Sequence, residues 1–272
     1  MVARDPAVKC ALARSAPAAG TPAFRDHFAR QAACYAHARP DYPPELFDAL
    51  AGAVPGRALA WDCGTGSGQA AVPLAARFAR VVATDASAAQ LAHARRTGGV
   101  HYVAARAERC PLGDRTADLV TVAQALHWFD LPAFYAEVRR VLRPGGVVAA
   151  WTYGDARLAH PEADARLCAF DREIVGRYWP PERAHVRDGY RGLPFPFAPV
   201  QLRVPPAITR EWGADELLAY LTTWSATVRC AEQTGRDPLD AFGAALRRAL
   251  AGGTTTVRWP LVLLAGRVRL GA

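Results

Sequence analysis

Gly64, Gly66 and Gly68 occupy alternate positions in the stretch WDCGTGSGQ, behind a short apolar run and just after an acid, Asp62. A glycine-rich loop at the end of a buried strand turns backbone N–H groups toward a ligand and lets that ligand approach closely, which suits nucleotides. The dinucleotide fingerprint G-x-G-x-x-G needs a third glycine at the sixth position, and that position here is Gln69. The spacing G-x-G-x-G with a carboxylate ahead of it suits a ligand bearing an ammonium better than a diphosphate. A second acid, Asp85, follows Gly64 by 21 residues (85 − 64). From there a carboxylate can accept hydrogen bonds from both ribose hydroxyls. NAD and S-adenosylmethionine both carry that ribose, so Asp85 predicts an adenosine ligand without choosing between them. The bland alternative is a strand-end aspartate that caps the next helix.

The elements that would position these residues form an alternating series. Residues 58–63 read as a short buried strand ending at the glycine loop, and 69–79 as a helix with Pro73 near its first turn, where a missing N–H is tolerated. Strands are expected at 80–85, 100–105, 117–125 and 146–151. Between them lie a helix capped by Ser87 and another over 130–143. In the latter, Phe134, Val138 and Val141 make an apolar stripe, and Pro144-Gly145-Gly146 stops it. Apolar strands alternating with amphipathic helices predict an α/β fold, with a parallel sheet covered on both faces. Residues 155–197 break the rhythm and are rich in aromatics and proline. Helices at 214–232 and 237–251 follow, then a strand-like run over 255–270. Residues 155–197 and 214–251 are read as a cap inserted over one end of the sheet, within one domain spanning 24–272. Residues 1–23 read as a disordered leader, or as a start placed too early.

The formal charge of +8 invites a nucleic-acid partner, but of the 33 basic residues only Lys9 is lysine. The arginines are spread along the chain, and no basic run alternates with aromatics, so scattered surface charge is the better reading. Cys10, Cys34, Cys63, Cys110, Cys168 and Cys230 lie far apart without a CxxC pair. They read as reduced thiols of a cytoplasmic protein, with no metal site and no disulfide framework. No apolar run reaches the roughly 20 residues that cross a bilayer, so no membrane partner is expected.

WDCGTGSGQ, VVATDAS, AERCPLGDRTADLVTVAQALHWFD and VLRPGGVVAAW stand in the order and spacing of the class I S-adenosylmethionine-dependent methyltransferases, which this sequence resembles. YAHARPDYP (35–43), QALHWFD (124–130) and VRWPLVLLAGRV narrow the resemblance to small-molecule enzymes similar to trans-aconitate-methyltransferase-like proteins. It extends over about residues 24–268. It implies a Rossmann-like sheet, mostly parallel with an antiparallel C-terminal strand, helices on both faces and a helical cap. It also implies S-adenosylmethionine as cofactor and methylation of a small molecule, at oxygen rather than nitrogen. Two alternatives stand beside it: a noncatalytic S-adenosylmethionine-binding protein on the same fold, and an NAD-dependent oxidoreductase, which Gln69 disfavours.

Carried over residue by residue, the resemblance puts Asp62, Gly64, Gly66 and Gly68 at the methionine end of the cofactor. It places Asp85 on the ribose and Ala86 against the adenine. The family's third block often begins with an acid, but Arg106 stands there and cannot accept a hydrogen bond from the adenine amine. That contact moves to the backbone of Ala107 and to Glu108. Tyr35 and Arg39 lie in the opening segment, with Arg39 suited to the methionine carboxylate. Gln124 approaches the sulfonium. QALHWF replaces the (N/D)-P-P-(Y/F) tetrad typical of base methylation, which argues against a nucleic-acid acceptor. His127 can act as a general base near neutral pH, or it is a structural histidine bonding the loop backbone. A carboxylate acceptor would need no base. Trp128, Tyr190 and Arg191 are the acceptor-side candidates, suited to an acidic or aromatic molecule.

Overall fold

Strand β1 (Leu59–Cys63) is buried at every position, as an apolar run lying between two covering layers must be. The computed structural model describes residues 38–268. In them β1 pairs in parallel with β2 (Arg80–Asp85) on one side and with β4 (Ala117–Ala123) on the other. β3 (Val100–Ala104) lies outside β2, and β5 (Leu142–Tyr153) lies outside β4, both again parallel. Three short strands follow: β6 (Arg157–Leu158), β7 (Ala198–Pro199) and β8 (Ala207–Trp212). The long β9 (Thr255–Arg267) is antiparallel to β5 and also pairs with β6, β7 and β8. The order β3-β2-β1-β4-β5-β9 reverses direction at β1. In such a sheet the ligand crevice opens beyond the carboxyl ends of the strands at that reversal, here those of β1 and β4.

The strands alternate as period-two geometry requires. Val147, Ala149, Trp151 and Tyr153 of β5 enter one buried cluster, whereas Val148 and Ala150 enter the other. On the first face lie α1 (Pro44–Ala53), through Leu46, Phe47 and Leu50, and α2 (Ala71–Ala75), through Leu74. On the opposite face α4 (Leu131–Val141) buries Phe134, Val138 and Val141, the stripe expected from its spacing. α3 (Ala88–Ala92) is capped by the Ser87 side chain, which accepts the Gln90 N–H. It is shorter than its sequence suggests because the Arg95 N–H is given to the Ser67 carbonyl, turning the chain back toward the glycine loop. β5 starts earlier than expected: Leu142 pairs with Ala117 across a register shift, and Val147 then pairs with Leu119, so the Pro-Gly-Gly segment is taken into the strand's irregular beginning.

The residues read above as a cap contain α5 (Pro161–Ala169), α6 (Arg183–Arg187), α7 (Ala214–Thr222), α8 (Ser225–Thr234) and α9 (Leu239–Leu250). Its buried Phe170, Tyr220, Trp224 and Leu246 belong to the same cluster as Phe47 and Trp151 on the sheet. Cap and sheet therefore share one apolar interior. No helix among the described residues is long and apolar enough to cross a membrane.

Candidate active site

The glycine loop leaves the carboxyl end of β1 with Gly64, Gly66 and Gly68 at φ of 67°, 54° and 82°. This left-handed region costs a residue with a Cβ roughly 1–2 kcal/mol. Space adds a second constraint. A Cβ on Gly64 would lie 2.7 Å from the Ala125 methyl, and one on Gly68 would lie 2.2 Å from the Tyr102 hydroxyl. Ala125 and Phe129 therefore press directly on the loop at Gly64.

The two acids take different places. Asp85, half-buried at the end of β2, accepts hydrogen bonds from the Gly66 N–H and the Ser87 N–H, each at 2.8 Å. It thus ties the glycine loop to the second strand, while neighbouring Ala86 is exposed. Asp62 has no exposed surface. Its carboxylate accepts the Thr121 hydroxyl at 2.7 Å and the Thr65 hydroxyl at 2.6 Å. It braces the loop from beneath instead of presenting an oxygen at its surface. Burial pushes its pKa up to about 6, against the pull of both hydroxyls and with a further push from Asp85. Ala107 is buried, and Glu108 accepts the Asp130 N–H at 3.2 Å, which links the third block to the segment after β4.

That segment carries unusual backbone. Gln124 adopts φ of 58°, and its side chain spans to β5, taking the Thr152 hydroxyl on Oε1 and donating Nε2–H to the Tyr153 carbonyl at 3.3 Å. Non-glycine residues held in this region tend to cluster at functional sites. His127 follows in a single turn of 3-10 helix, with Nδ1 3.1 Å from the Tyr190 hydroxyl and its ring 4.8 Å from that of Trp128. Burial depresses the His127 pKa to about 3, helped by the nearby charges of His185 and Arg183. The imidazole is therefore neutral at physiological pH and a weak base, which turns its chemistry from proton abstraction toward hydrogen bonding.

The remaining expected contacts divide. Arg39 donates to the Tyr153 hydroxyl at 3.0 Å and to the Thr223 carbonyl at 3.1 Å, and stacks over Tyr220. It joins the opening segment to both β5 and the cap. Tyr35 lies outside the described residues. Tyr190 is buried, with 1% of its surface exposed, in the cluster that holds Leu126 and Phe134, and Arg191 points to solvent beside Asp188. Those two are not brought together at one surface with Trp128. Arg183 is instead the cap arginine turned inward: it pairs with Asp155, lies over the Trp179 ring at 4.5 Å, and keeps its Nε buried without a hydrogen bond. Arg187, also in this region, is held by Asp155 and Asp171. A cavity of about 330 Å³ bounded by Leu59, Arg80, His101 and Thr116 opens at the amino ends of the strands, away from this site.

Residues 61–150 match the family described as a methyltransferase domain. A Dictyostelium discoideum protein named as a methyltransferase is 32% identical over 235 residues, covering 83% of this chain and 87% of that protein. A solved structure from Anaeromyxobacter dehalogenans, assigned as a type II methyltransferase, is 46% identical. It superposes with a TM-score of 0.77 over 84% of this chain and 97% of its own. The chain belongs to the class I S-adenosylmethionine-dependent methyltransferases. A malonyl-[acyl-carrier protein] O-methyltransferase of Marinomonas is also similar, 42% identical over 125 residues, 43% of this chain and 46% of that one.

Membership in the methyltransferases removes the NAD-dependent alternative, in keeping with Gln69 at the sixth loop position. The loop's own atoms fit a polar cofactor. Ser67 Oγ and Gln69 Nε2 are buried there without a hydrogen-bond partner among the described residues, and buried polar groups are normally paired. Sequence reasoning missed Thr65 and Thr121 beneath Asp62, Tyr102 against Gly68, Thr152 beside Gln124, and Arg183. For Thr121 and Thr152 a signal existed: each is a hydroxyl set among apolar neighbours toward the carboxyl end of a buried strand.

Proposed function

We propose that this methyltransferase methylates an oxygen of a small, negatively charged molecule. The observation that carries the reading is a run of aromatic rings closed by an arginine at each end. Trp179, Trp224 and Tyr220 follow one another at 5.2 and 5.7 Å, tilted and then edge to face, with Arg183 over Trp179 and Arg39 over Tyr220. Arg39 reaches the hydroxyl of Tyr153, next to Thr152 and Gln124, so the run borders the segment after β4. The rings, buried or half-buried, hold the two arginines in place, and guanidinium groups pair with carboxylate in a fixed geometry. His127, neutral and weakly basic, suits an acceptor oxygen that needs little help in losing a proton. The Marinomonas relative's name as an O-methyltransferase points the same way.

S-adenosylmethionine, when bound, supplies the electrophilic methyl group on its sulfonium. Asp85 would take the ribose hydroxyls, Ala86 and Glu108 the adenine side, and the glycine loop with Gln124 the methionine end. The chain's contribution to rate is then alignment: a closed, rigid site holds the acceptor oxygen in line with the methyl, an effect that can reach about 7–11 kcal/mol. The test is turnover of S-adenosylmethionine to S-adenosylhomocysteine with a panel of small carboxylic acids, phenols and amines, with products identified by mass spectrometry. Ester or ether products from anionic acceptors are expected. Turnover with amines alone would overturn the oxygen assignment, and equal turnover with neutral acceptors would overturn the role of the arginines.

A further inference from the structure

The loop that joins β3 to β4, residues 105–116, starts at the acid assigned to the ribose: the Ala105 N–H donates to the Asp85 carbonyl at 3.0 Å. It then turns on itself, with the Arg109 N–H given to the Arg106 carbonyl, and buries Ala107 and Cys110. Along its length it is tied to α4 and to the residue ahead of that helix. Glu108 takes the exposed Asp130 N–H at 3.2 Å, and Asp114 takes Arg140 Nη1 at 2.6 Å. The Arg115 and Thr116 N–H groups go to the Arg140 and Val141 carbonyls, both at 2.9 Å. One contact differs in kind. The Cys110 N–H is buried and donates to Glu137 Oε1 at 2.8 Å, so a backbone donor shut off from water is satisfied by a carboxylate side chain. Glu137 is itself 8% exposed. Arg140, one turn along α4, grips it with a fork, Nε to Oε2 and Nη2 to Oε1, each at 2.7 Å. That grip holds the Glu137 pKa down to about 2 and fixes the plane in which Oε1 faces the loop.

We propose that Glu137 is a positioning residue for adenine recognition, setting the place of the wall at Ala107 and Glu108 through the Cys110 N–H. It acts through the loop and not on the base. Ala107 and Glu108 stand three and two residues before Cys110, and a wall that reads the adenine amine by hydrogen bonds must hold its acceptors to a narrow span of distance and angle. A buried charge sets that spacing where the loop turns away from the sheet. Glu137 is the one carboxylate on the buried side of α4, among Phe134, Val138 and Val141. Burying it costs free energy unless it is paired and hydrogen-bonded, and Arg140 and the Cys110 N–H supply both. The same helix begins just after the turn that bears His127 and Trp128, so one rigid element sets the adenine wall against the acceptor side. The proposal rests on the reading of Ala107 and Glu108 as the adenine side.

Isothermal titration with S-adenosylhomocysteine and with S-inosylhomocysteine, in which a carbonyl replaces the adenine amine, separates positioning from plain support. The wild type is expected to bind the adenine form more tightly, because only that form donates to the wall. In Glu137→Gln the Arg140 fork is broken and the Cys110 N–H loses its charged acceptor. Affinity for the adenine form should fall roughly 10-fold, as for a lost hydrogen bond to a charged group. Affinity for the inosine form should stay within about 2-fold, the range of independent sites, so the base preference collapses. Asp114→Ala takes the other carboxylate from Arg140 and leaves the Cys110 contact alone, and its base preference should match the wild type. Equal weakening of both ligands in Glu137→Gln, or no change in either, overturns the proposal, as does a collapse of preference in Asp114→Ala. If Glu137→Gln fails to fold, Glu137→Asp keeps the charge but draws it back from the Cys110 N–H. Lost preference there supports positioning, and retained preference refutes it. A wild type that binds both ligands equally sinks the adenine-side reading and the proposal with it, whereas failure in the variants alone leaves that reading standing.

Discussion

Gly68→Ala probes the glycine loop where backbone conformation and packing can be separated. Gly68 sits at φ of 82°, and its added Cβ would fall 2.2 Å from the Tyr102 hydroxyl and 3.2 Å from the ring carbon that bears it. The backbone part should cost about 1–2 kcal/mol, the usual penalty for a left-handed alanine. The collision should add about 1–3 kcal/mol, because an overpacked site shifts its neighbours. Tyr102 cannot swing aside freely: its hydroxyl donates to the Arg95 carbonyl at 2.7 Å, in the turn where Arg95 N–H meets the Ser67 carbonyl. Tyr102→Phe deletes the offending oxygen and leaves the ring at a tight but tolerable distance. In that background Gly68→Ala should cost only its backbone part. Urea unfolding followed by circular dichroism of the four proteins closes the cycle. A coupling of about 1–3 kcal/mol is expected, well above the roughly 0.3–0.5 kcal/mol within which independent sites add. If Gly68→Ala costs the same in both backgrounds, the clash is not what excludes a side chain there. Titration calorimetry on the folded variants should show weakened S-adenosylmethionine binding in both alanine proteins, since each displaces the loop.

Three other outcomes follow from the same geometry. Asp85→Ala should lower S-adenosylmethionine affinity by roughly 10- to 150-fold, the effect of losing hydrogen bonds to a charged group, and unchanged affinity in calorimetry would remove Asp85 from the site. Asp62 has a raised pKa of about 6, so the carboxylate is intact above that pH and protonated below it; affinity for the cationic cofactor should fall as pH drops through 6, and Asp62→Asn should flatten that fall in titrations from pH 5 to 8. Asp118 has no exposed surface, accepts the Ala58 and Leu59 N–H groups and pairs with Arg143 at 2.9 Å. Asp118→Ala should therefore lose about 3–5 kcal/mol in urea unfolding, the cost of breaking a buried pair, and a loss under 1 kcal/mol would contradict that account.

What could be read from the sequence was what is local. Period and punctuation located β1 to β4 within a residue or two, because a run such as RVVATD is apolar between clear breaks and no other packing suits it. Ser87 and the Phe134 stripe were legible for the same reason. β8 was not: Ile208 is its one buried residue, Thr209 and Glu211 are exposed, and the half-buried Arg210 between them interrupts any apolar alternation. Asp85 was singled out by its distance along the chain, which spans the glycine loop, one helix and one strand. Asp62 was found as a residue, but its direction was not: only the pairing of β1 with β4 brings Thr121 beneath it.

The same distinction explains why His127 was ambiguous. Its partner Tyr190 is 63 residues away, and Thr152 is 28 residues from Gln124. Nothing periodic connects these positions. Yet each was marked by a conflict that sequence alone contains. Thr152 is a hydroxyl in a strand end whose neighbours are Trp151 and Tyr153, and a hydroxyl buried among such residues needs a partner on another element. Gln124 directly follows β4, where the next residues must turn across the glycine loop, and that turn demands a backbone conformation glutamine seldom adopts. A buried hydroxyl and an unfavourable backbone are costs that a fold carries only when something else fixes them. Here the amide of Gln124 meets the hydroxyl of Thr152, so each supplies what the other lacks. The sheet order that sets β4 beside β5 is what makes that meeting possible, by bringing two strand ends side by side that lie far apart along the chain.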